Sequence, residues 1–303
     1  MKHAKLAIIG AGAVGSTTAY ALMWKNVATE ILLIDIDEKR CKGEILDLSD
    51  ALPFCYASKI QRGTTKEAGQ ADIVIITAGV RQKPGQPRSD LIAENQKIIK
   101  SIINDMKPIN PNTIIIMVTN PVDILTYYAQ QITDLPKNQI FGSGTFLDSQ
   151  RLRGILSKKL NIAEQSIQAY VLGEHGDSQF VAWSNMNIAG IPLLDFPIFS
   201  SKDLDVMADE TKNRVYEIIA CKEATFYGIA ACVTDICECI IFNQKRIIPL
   251  SCFIEKYNVC LSMPAVLGEK GIEQILSIRL SQKEQDLLEK SVKKLKGVIK
   301  DLQ

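Results

Sequence analysis

The apolar positions of this chain change their period along its length. Short unbroken runs stand out in the first half: Lys5 to Ile9 (KLAII), Ile31 to Ile34 (ILLI), Asp72 to Thr77 (DIVIIT) and Ile114 to Val118 (IIIMV). Runs this short, rich in branched residues and ended by glycine, acid or asparagine, suit strands buried on both faces. Longer amphipathic spacing separates them. Ser16 to Trp24 reads as a helix rich in small residues, and Leu91 to Met106 reads as a helix closed by Pro108 and Pro111. Gln139 to Phe141 reads as one more short strand. Strands that alternate with helices predict an α/β fold, with a doubly wound parallel sheet carrying helices on both faces.

The second half patterns differently. Gly142 and Gly144, in GSGTFLDSQR, interrupt the alternation and are read as a domain boundary, dividing 1–142 from 143–303. Asp203 to Asn243 is largely a long helical stretch. Its Met207, Val215, Ile218, Ile219, Cys232, Ile236 and Ile240 are expected in the core or at a subunit interface. Ser281-Gln282-Lys283-Glu284 reads as a capping box opening a last helix. Leu288, Val292, Leu295, Ile299 and Leu302 then form one packing stripe.

The strand ends hold the polar residues that change this picture. Gly10-Ala11-Gly12-Ala13-Val14-Gly15 lies between the first strand and the first helix, and Asp35 follows about 20 residues after the last glycine. A lone G-x-G-x-x-G says little, but in this setting it is the dinucleotide fingerprint of a Rossmann-type sheet. Gly10 permits the tight turn, Gly12 lets backbone approach a pyrophosphate, and Gly15 lets helix lie close to strand. Asp35 would accept the ribose hydroxyls and repel a 2′-phosphate, which favours NAD over NADP. Ligands bind beyond the carboxyl ends of such strands, where Thr77-Ala78-Gly79 and Thr119-Asn120 also fall. The polar segment from Val80 to Asp90 is either a solvated loop or a lid that brings Arg88 over a ligand.

Composition narrows the partners. The chain has 303 residues, of which 47% are hydrophobic and 23% charged, with a net charge of +1. No basic excess points to nucleic acid. Leu6 to Trp24 carries no charge, but its glycines and hydroxyls rule out a membrane span or a signal peptide. The eight cysteines, Cys41, Cys55, Cys221, Cys232, Cys237, Cys239, Cys252 and Cys260, make no C-x-x-C pair. Reduced, mostly buried thiols of a cytoplasmic protein are expected, and no metal site.

Only two histidines are present. His3 lies at the N-terminus, whereas His175 sits in GEHGDS after the apolar run Ala169 to Leu172. Proton transfer near neutral pH by an unshifted side chain would have to use His175. For a lone histidine the plainer reading is a turn residue bonded to backbone. Asp148 and Arg151 are three apart and would share a helix face, either as a surface ion pair or as a holder for an imidazole and a receptor for a carboxylate.

Taken together, GAGAVG, LLIDID, TAGVRQKPGQPRSDL, VTNPVDILTY, GSGTFLDSQRLR, GEHGDS and KEATFYGIA resemble the L-lactate/malate dehydrogenase family over nearly the whole chain, and its L-lactate dehydrogenases more closely. The resemblance implies an NAD-binding domain followed by a mixed α/β catalytic domain. It implies His175 as acid/base, Asp148 as its partner, Arg151 as the fork on a substrate carboxylate, and Arg88 as the group that polarises the carbonyl. Asn120 would line the site, with a cis bond to Pro121. Gly10, Gly12, Val14, Gly15, Asp35, Thr77, Ala78, Gly79, Thr119 and Asn120 are the expected cofactor contacts. Gln82, where malate enzymes place arginine, and Thr225, which narrows the pocket, favour pyruvate and L-lactate. Arg81 beside Gln82 keeps the malate reading open. A non-catalytic NAD-binding protein on this fold is the alternative of another class, though such a binder needs none of Arg88, Asp148, Arg151 and His175. Arg153 matches an arginine that binds fructose 1,6-bisphosphate in bacterial relatives, but Gln168 replaces the expected histidine. The N-terminal arm of vertebrate relatives is expected to be missing. A cytoplasmic homotetramer or homodimer is expected, reducing pyruvate at the end of glycolysis.

Overall fold

A computed structural model describes residues 4–25, 27–56, 59–80 and 88–301, without the side chains of 88 and 89. The expected strands and helices form, with shifted bounds. The first half runs β1 (Lys5–Ile9), α1 (Ala13–Trp24), β2 (Glu30–Ile34), α2 (Glu38–Ala51), β3 (Lys59–Arg62), α3 (Thr65–Ala68), β4 (Ile73–Ile76), α4 (Arg88–Met106), β5 (Ile114–Met117), α5 (Val122–Ile132) and β6 (Ile140–Gly142). These six strands pair in parallel in the order β6-β5-β4-β1-β2-β3. The strand β3 is absent from the sequence reading, so the run at Asp72 to Thr77 is the fourth strand and not the third.

Side chains along each strand alternate between two cores, as the twofold period of a strand demands. Leu6, Ile8, Ile31, Leu33, Ile73, Ile75, Ile114 and Ile116 face one cluster. Ala7, Ile9, Leu32, Ile34, Val74, Ile76, Ile115 and Met117 face the other. Residues of α1 and α2 complete the first cluster, and residues of α4 and α5 the second. All four residues of β4 are fully or almost fully buried, which explains a run with no polar member.

The second half does not stand apart from this sheet. It contributes α6 (Phe146–Leu160), the short strands β7 (Ile167–Gln168), β8 (Val171–Leu172), β9 (Phe180–Val181), β10 (Asn187–Ile188) and β11 (Ile191–Pro192), then α7 (Ser201–Lys222) and α8 (Tyr227–Ile241). The meander β12 (Arg246–Ile254), β13 (Val259–Gly268) and β14 (Gly271–Ile275) precedes α9 (Gln282–Asp301). The meander extends the parallel sheet to nine strands, joined where Ser251 of β12 pairs antiparallel with Gly142 of β6. Val233, Ile236 and Ile240 of α8 lie in the same core as Ala19 and Leu22 of α1.

The stretch Asp203 to Asn243 is two helices, not one. Glu223 ends α7 in a left-handed conformation (φ +65°), and this turns the chain into the segment that holds Thr225. Met207, Cys232, Ile236 and Ile240 are buried as expected, while Ile219 is exposed. The capping box at Ser281 forms in both directions: Ser281 N–H donates to Glu284 at 2.8 Å and Glu284 N–H donates to Ser281 Oγ at 3.4 Å. Leu288, Val292 and Leu295 are buried along α9; Leu302 lies outside the described residues. The eight cysteines are free, and six of them are buried.

Candidate active site

The glycine turn is built by backbone crowding. Gly10 sits at φ +112°, and a Cβ there would lie 2.6 Å from Thr77 Oγ1 and 2.7 Å from the Ala78 nitrogen. A Cβ on Gly15 would fall 1.8 Å from the Gly10 carbonyl oxygen. Strand and helix therefore meet at a spacing that only glycine allows. At Gly12 a Cβ would meet nothing within 4 Å. Gly12 caps α1 without a side-chain hydrogen bond, and the first turn of α1 holds no acid. The positive end of the helix dipole thus faces open space, which suits a pyrophosphate.

Asp35, at the end of β2, is tied to this turn. Its Oδ2 accepts the Ala11 N–H at 2.6 Å and its Oδ1 accepts the Asp37 N–H at 2.9 Å. Each carboxylate oxygen keeps a lone pair for a ribose hydroxyl. Across the sheet, Thr77 Oγ1 donates to the Gly10 carbonyl at 3.0 Å, and Thr119 Oγ1 donates to the Ala78 carbonyl at 2.7 Å. The fully buried Asn95 of α4 joins two of these loops: it accepts the Val80 N–H at 2.8 Å and donates to the Asn120 carbonyl at 3.0 Å. Its role was not legible in the sequence. The donor set and the open cradle fit NAD.

The second cluster begins on α6. Asp148 and Arg151 share one face of that helix, and both are buried. Arg151 Nη1 donates to Asp148 Oδ1 at 3.0 Å. The other carboxylate oxygen, Oδ2, lies 2.7 Å from His175 Nδ1. One carboxylate thus orients both an imidazole and a guanidinium, so the surface ion pair considered from spacing alone is excluded. Burial opposes the Asp148 charge, but His175 and Arg151 together hold its carboxyl below the usual range. Burial likewise opposes an imidazolium, but the charge and hydrogen bond of Asp148 outweigh it and His175 is raised.

A second buried acid supports the same histidine from behind. Asp123 of α5 accepts the His175 backbone N–H at 2.7 Å and the Ser251 hydroxyl at 2.6 Å. Burial pushes its carboxyl up to about 6, against the lowering influence of these two donors. The sequence reading missed Asp123. Its one signal is an acid set among Val122, Ile124 and Leu125 on a buried helix face.

His175, Asp148, Arg151, Asn120 and Thr225 all line one cavity of about 330 Å³, with Val14 of the glycine turn at its edge. The Asn120–Pro121 bond is cis, as expected. Gln82 and the side chain of Arg88 lie outside the described residues; the backbone of Arg88 opens α4. A larger cavity of about 530 Å³ lies at the amino ends of β1, β4 and β5, lined by Ala4, Asp72 and Ile114. It is the end of a parallel sheet away from the ligand edge, and no expected site residue reaches it. Away from the site, Arg153 Nε is buried without a partner among the described residues. Gln168 is exposed and accepts from Asn187 at 3.0 Å. Among the described residues no group of acids, histidines and cysteines could hold a metal, and no helix is long and apolar enough to cross a membrane.

Known proteins resemble this chain along nearly its whole length. A family model described as lactate/malate dehydrogenase, NAD binding domain, matches residues 4–142, and one for the lactate/malate dehydrogenase alpha/beta C-terminal domain matches residues 145–303. The L-lactate dehydrogenase A of Rhizopus oryzae is 48% identical over 296 residues, covering 98% of this chain and 92% of that protein. The L-lactate dehydrogenase of Acetivibrio thermocellus is 43% identical over 307 residues, covering 98% and 97%. Among solved structures, the minor L-lactate dehydrogenase of Enterococcus mundtii superposes with a TM-score of 0.96 at 35% identity, covering 100% of this chain and 99% of that one. With both family models matched in order and the paired Asp148, Arg151 and His175 gathered beyond the glycine turn, the chain belongs to the lactate/malate dehydrogenase family.

Proposed function

We propose that this protein is an NAD-dependent L-lactate dehydrogenase that interconverts pyruvate and L-lactate. The observation that carries the reading is the single buried carboxylate of Asp148, which orients His175 and Arg151 toward one cavity. Bound NADH supplies a hydride to the 2-carbon of the keto acid. The Asp148 bond to Nδ1 turns the far ring nitrogen, Nε2, toward the substrate, and Nε2 gives its proton to the carbonyl oxygen. Asp148 stabilises the imidazolium before that transfer. The planar fork of Arg151 grips the substrate carboxylate through two parallel N–H donors, which lysine cannot do. Arg88 is assigned to polarising the carbonyl, as the family resemblance implies, and Asn120 lines the cavity.

Gly10, Gly12, Val14, Gly15, Asp35, Thr77, Ala78, Gly79, Thr119 and Asn120 are assigned to NAD, and residues 1–142 and 143–303 to cofactor and substrate respectively. Gln82 and Thr225 set the choice of substrate. A second carboxylate, as in oxaloacetate, would be desolvated without a partner beside a neutral Gln82, at a cost of several kcal/mol. The protein is assigned to the cytoplasm, to the reduction of pyruvate at the end of glycolysis, and to a homotetramer or a homodimer. Tyr20, Trp24 and Tyr227 are exposed large apolar side chains around the outer face of α1 and α8, which supports self-association.

Steady-state rates on a panel of 2-keto acids with NADH and NADPH, with and without fructose 1,6-bisphosphate, test the reading. Pyruvate with NADH should give the highest kcat/KM. A higher value on oxaloacetate would overturn the assignment of substrate, and no NADH oxidation with any keto acid would overturn the enzyme.

A further inference from the structure

Residues Gly173 to Ser178, which carry His175, are gripped from several sides. Gly173 exchanges backbone hydrogen bonds with Ser262 of β13, Asp123 of α5 accepts the His175 N–H, and Lys212 Nζ of α7 donates to the Asp177 carbonyl at 2.8 Å. A further grip comes from the C-terminal helix α9. Ser291 Oγ accepts the Glu174 N–H at 2.6 Å and lies 3.1 Å from Ser178 Oγ. Three residues on, and so on the same helix face, Lys294 Nζ lies 2.8 Å from Glu174 Oε2 and 3.5 Å from Asp177 Oδ2. Glu174 is nearly inaccessible, and its Oε2 also accepts the Ser178 hydroxyl at 2.5 Å. One ammonium therefore bridges the two acids on either side of the histidine.

This bridge spans a glycine of the turn. Gly176, at φ +155°, lies between Glu174 and Asp177, and Gly173 is at φ +86°. Glycine places little steric limit on either position. Among the described residues the imidazole makes one side-chain hydrogen bond, to Asp148, so its position also depends on the backbone beneath it. A tie across Gly176 between the two acid side chains restricts the freedom of that backbone, beside the Lys212 bond to the Asp177 carbonyl. The α9 grip is anchored, because Leu288, Val292 and Leu295 are buried on the adjoining face of the helix.

We propose that Lys294 is a positioning residue for His175: its ammonium, seated between Glu174 and Asp177, fixes the turn at the angle from which the imidazole meets the keto oxygen. The proposal rests on the dehydrogenase reading above. It separates Lys294 from residues that merely stabilise the fold, because a loosened turn misplaces the proton donor while leaving the NAD cradle, on other strands, untouched. Small misplacements of a catalytic group are costly in rate even when binding survives.

The test uses the full chain with Lys294→Met and Lys294→Arg, and Glu174→Gln alone and combined with Lys294→Met. Lys294→Met should lower kcat for pyruvate reduction by about tenfold, with NADH affinity measured by fluorescence titration unchanged. Lys294→Arg should restore most of the rate. The double variant should be no slower than the slower single variant, since both remove one interaction. If the methionine variant folds poorly, Lys294→Gln should show the same split between rate and cofactor affinity. An unchanged kcat in a wild-type-active background, whatever happens to Tm, would overturn the proposal; so would parallel losses of kcat and NADH affinity. A wild-type protein that reduces no keto acid would instead strike at the functional reading itself.

Discussion

The turn at Gly10 to Gly15 and the turn at Gly173 to Ser178 are built in opposite ways. The first is made of backbone: its shape comes from missing side chains, and its attraction for a ligand from the uncapped end of α1. All its parts lie within a few residues of one another, apart from Asp35 and Thr77. The second is held by side chains drawn from α5, α6, β12 and α9, which converge on the turn that carries one imidazole. A backbone site tolerates any side chain that does not fill its space. A converging site fails when one contributor is lost, because each contributor is buried and partnered with the next.

If that contrast is right, the largest effect belongs to His175→Gln. It removes the proton donor but keeps the Asp123 bond, which is made to backbone. Pyruvate reduction should fall by about 10⁴-fold while NADH titration remains near wild type. Turnover that persists in this variant would break the division of labour between the two turns.

Asp148→Asn should follow in size. Keto-acid reduction needs protonated His175, so its rate falls as pH rises through the raised imidazole pKa; lactate oxidation needs the neutral ring and rises over the same limb. Without the Asp148 charge nothing of equal strength offsets burial, and that limb should move to lower pH, with reduction near neutral pH slowed by about a hundredfold. The pair also sets a window of stability. The contribution of Asp148, whose pKa is lowered, is lost as pH falls through its folded value. That of His175, whose pKa is raised, is lost as pH rises through its own. A limb that stays in place in the asparagine variant would show that Asp148 does not set the basicity of His175.

The same contrast decides what could be read in the sequence. The runs of β1, β2, β4 and β5 are apolar apart from Lys5 and Glu30 at the starts of β1 and β2, because both faces are buried, so they announce themselves. The edge strand β3 (KIQR) buries only Ile60 and carries no such signal. The strands β12 and β13 were hidden by their own composition: Pro249 and Pro264 stand opposite each other in the ladder, and proline ordinarily argues against a strand. The break between α7 and α8 was hidden because Glu223, not glycine, takes the left-handed turn. The glycine turn was legible from spacing, being local. The partnership of Asp148 with His175 came from the resemblance, since 27 residues separate them and spacing cannot bring them together. Asp123 and Asn95 stayed invisible because their partners, the His175 N–H and the loops at Val80 and Asn120, exist only once the sheet has formed.

The glycine turn offers the finest division of the two kinds of site, because at two of its glycines the same added methyl separates stability from NADH binding. At Gly15 the new carbon would overlap the Gly10 carbonyl oxygen, and neither atom belongs to a flexible side chain. Strand β1 and helix α1 would have to separate, at about 1–3 kcal/mol or more, so Gly15→Ala should lower Tm and weaken NADH binding together. At Gly12 the carbon would enter open space in the absence of ligand. Gly12→Ala should therefore keep its Tm and its far-ultraviolet circular dichroism, its stability shifting by no more than about 0.5 kcal/mol. Its NADH affinity should fall all the same, because the methyl occupies the approach of the pyrophosphate to the α1 amides. A Gly12→Ala protein that binds NADH as tightly as wild type would show that the open space above α1 is not where the phosphates lie.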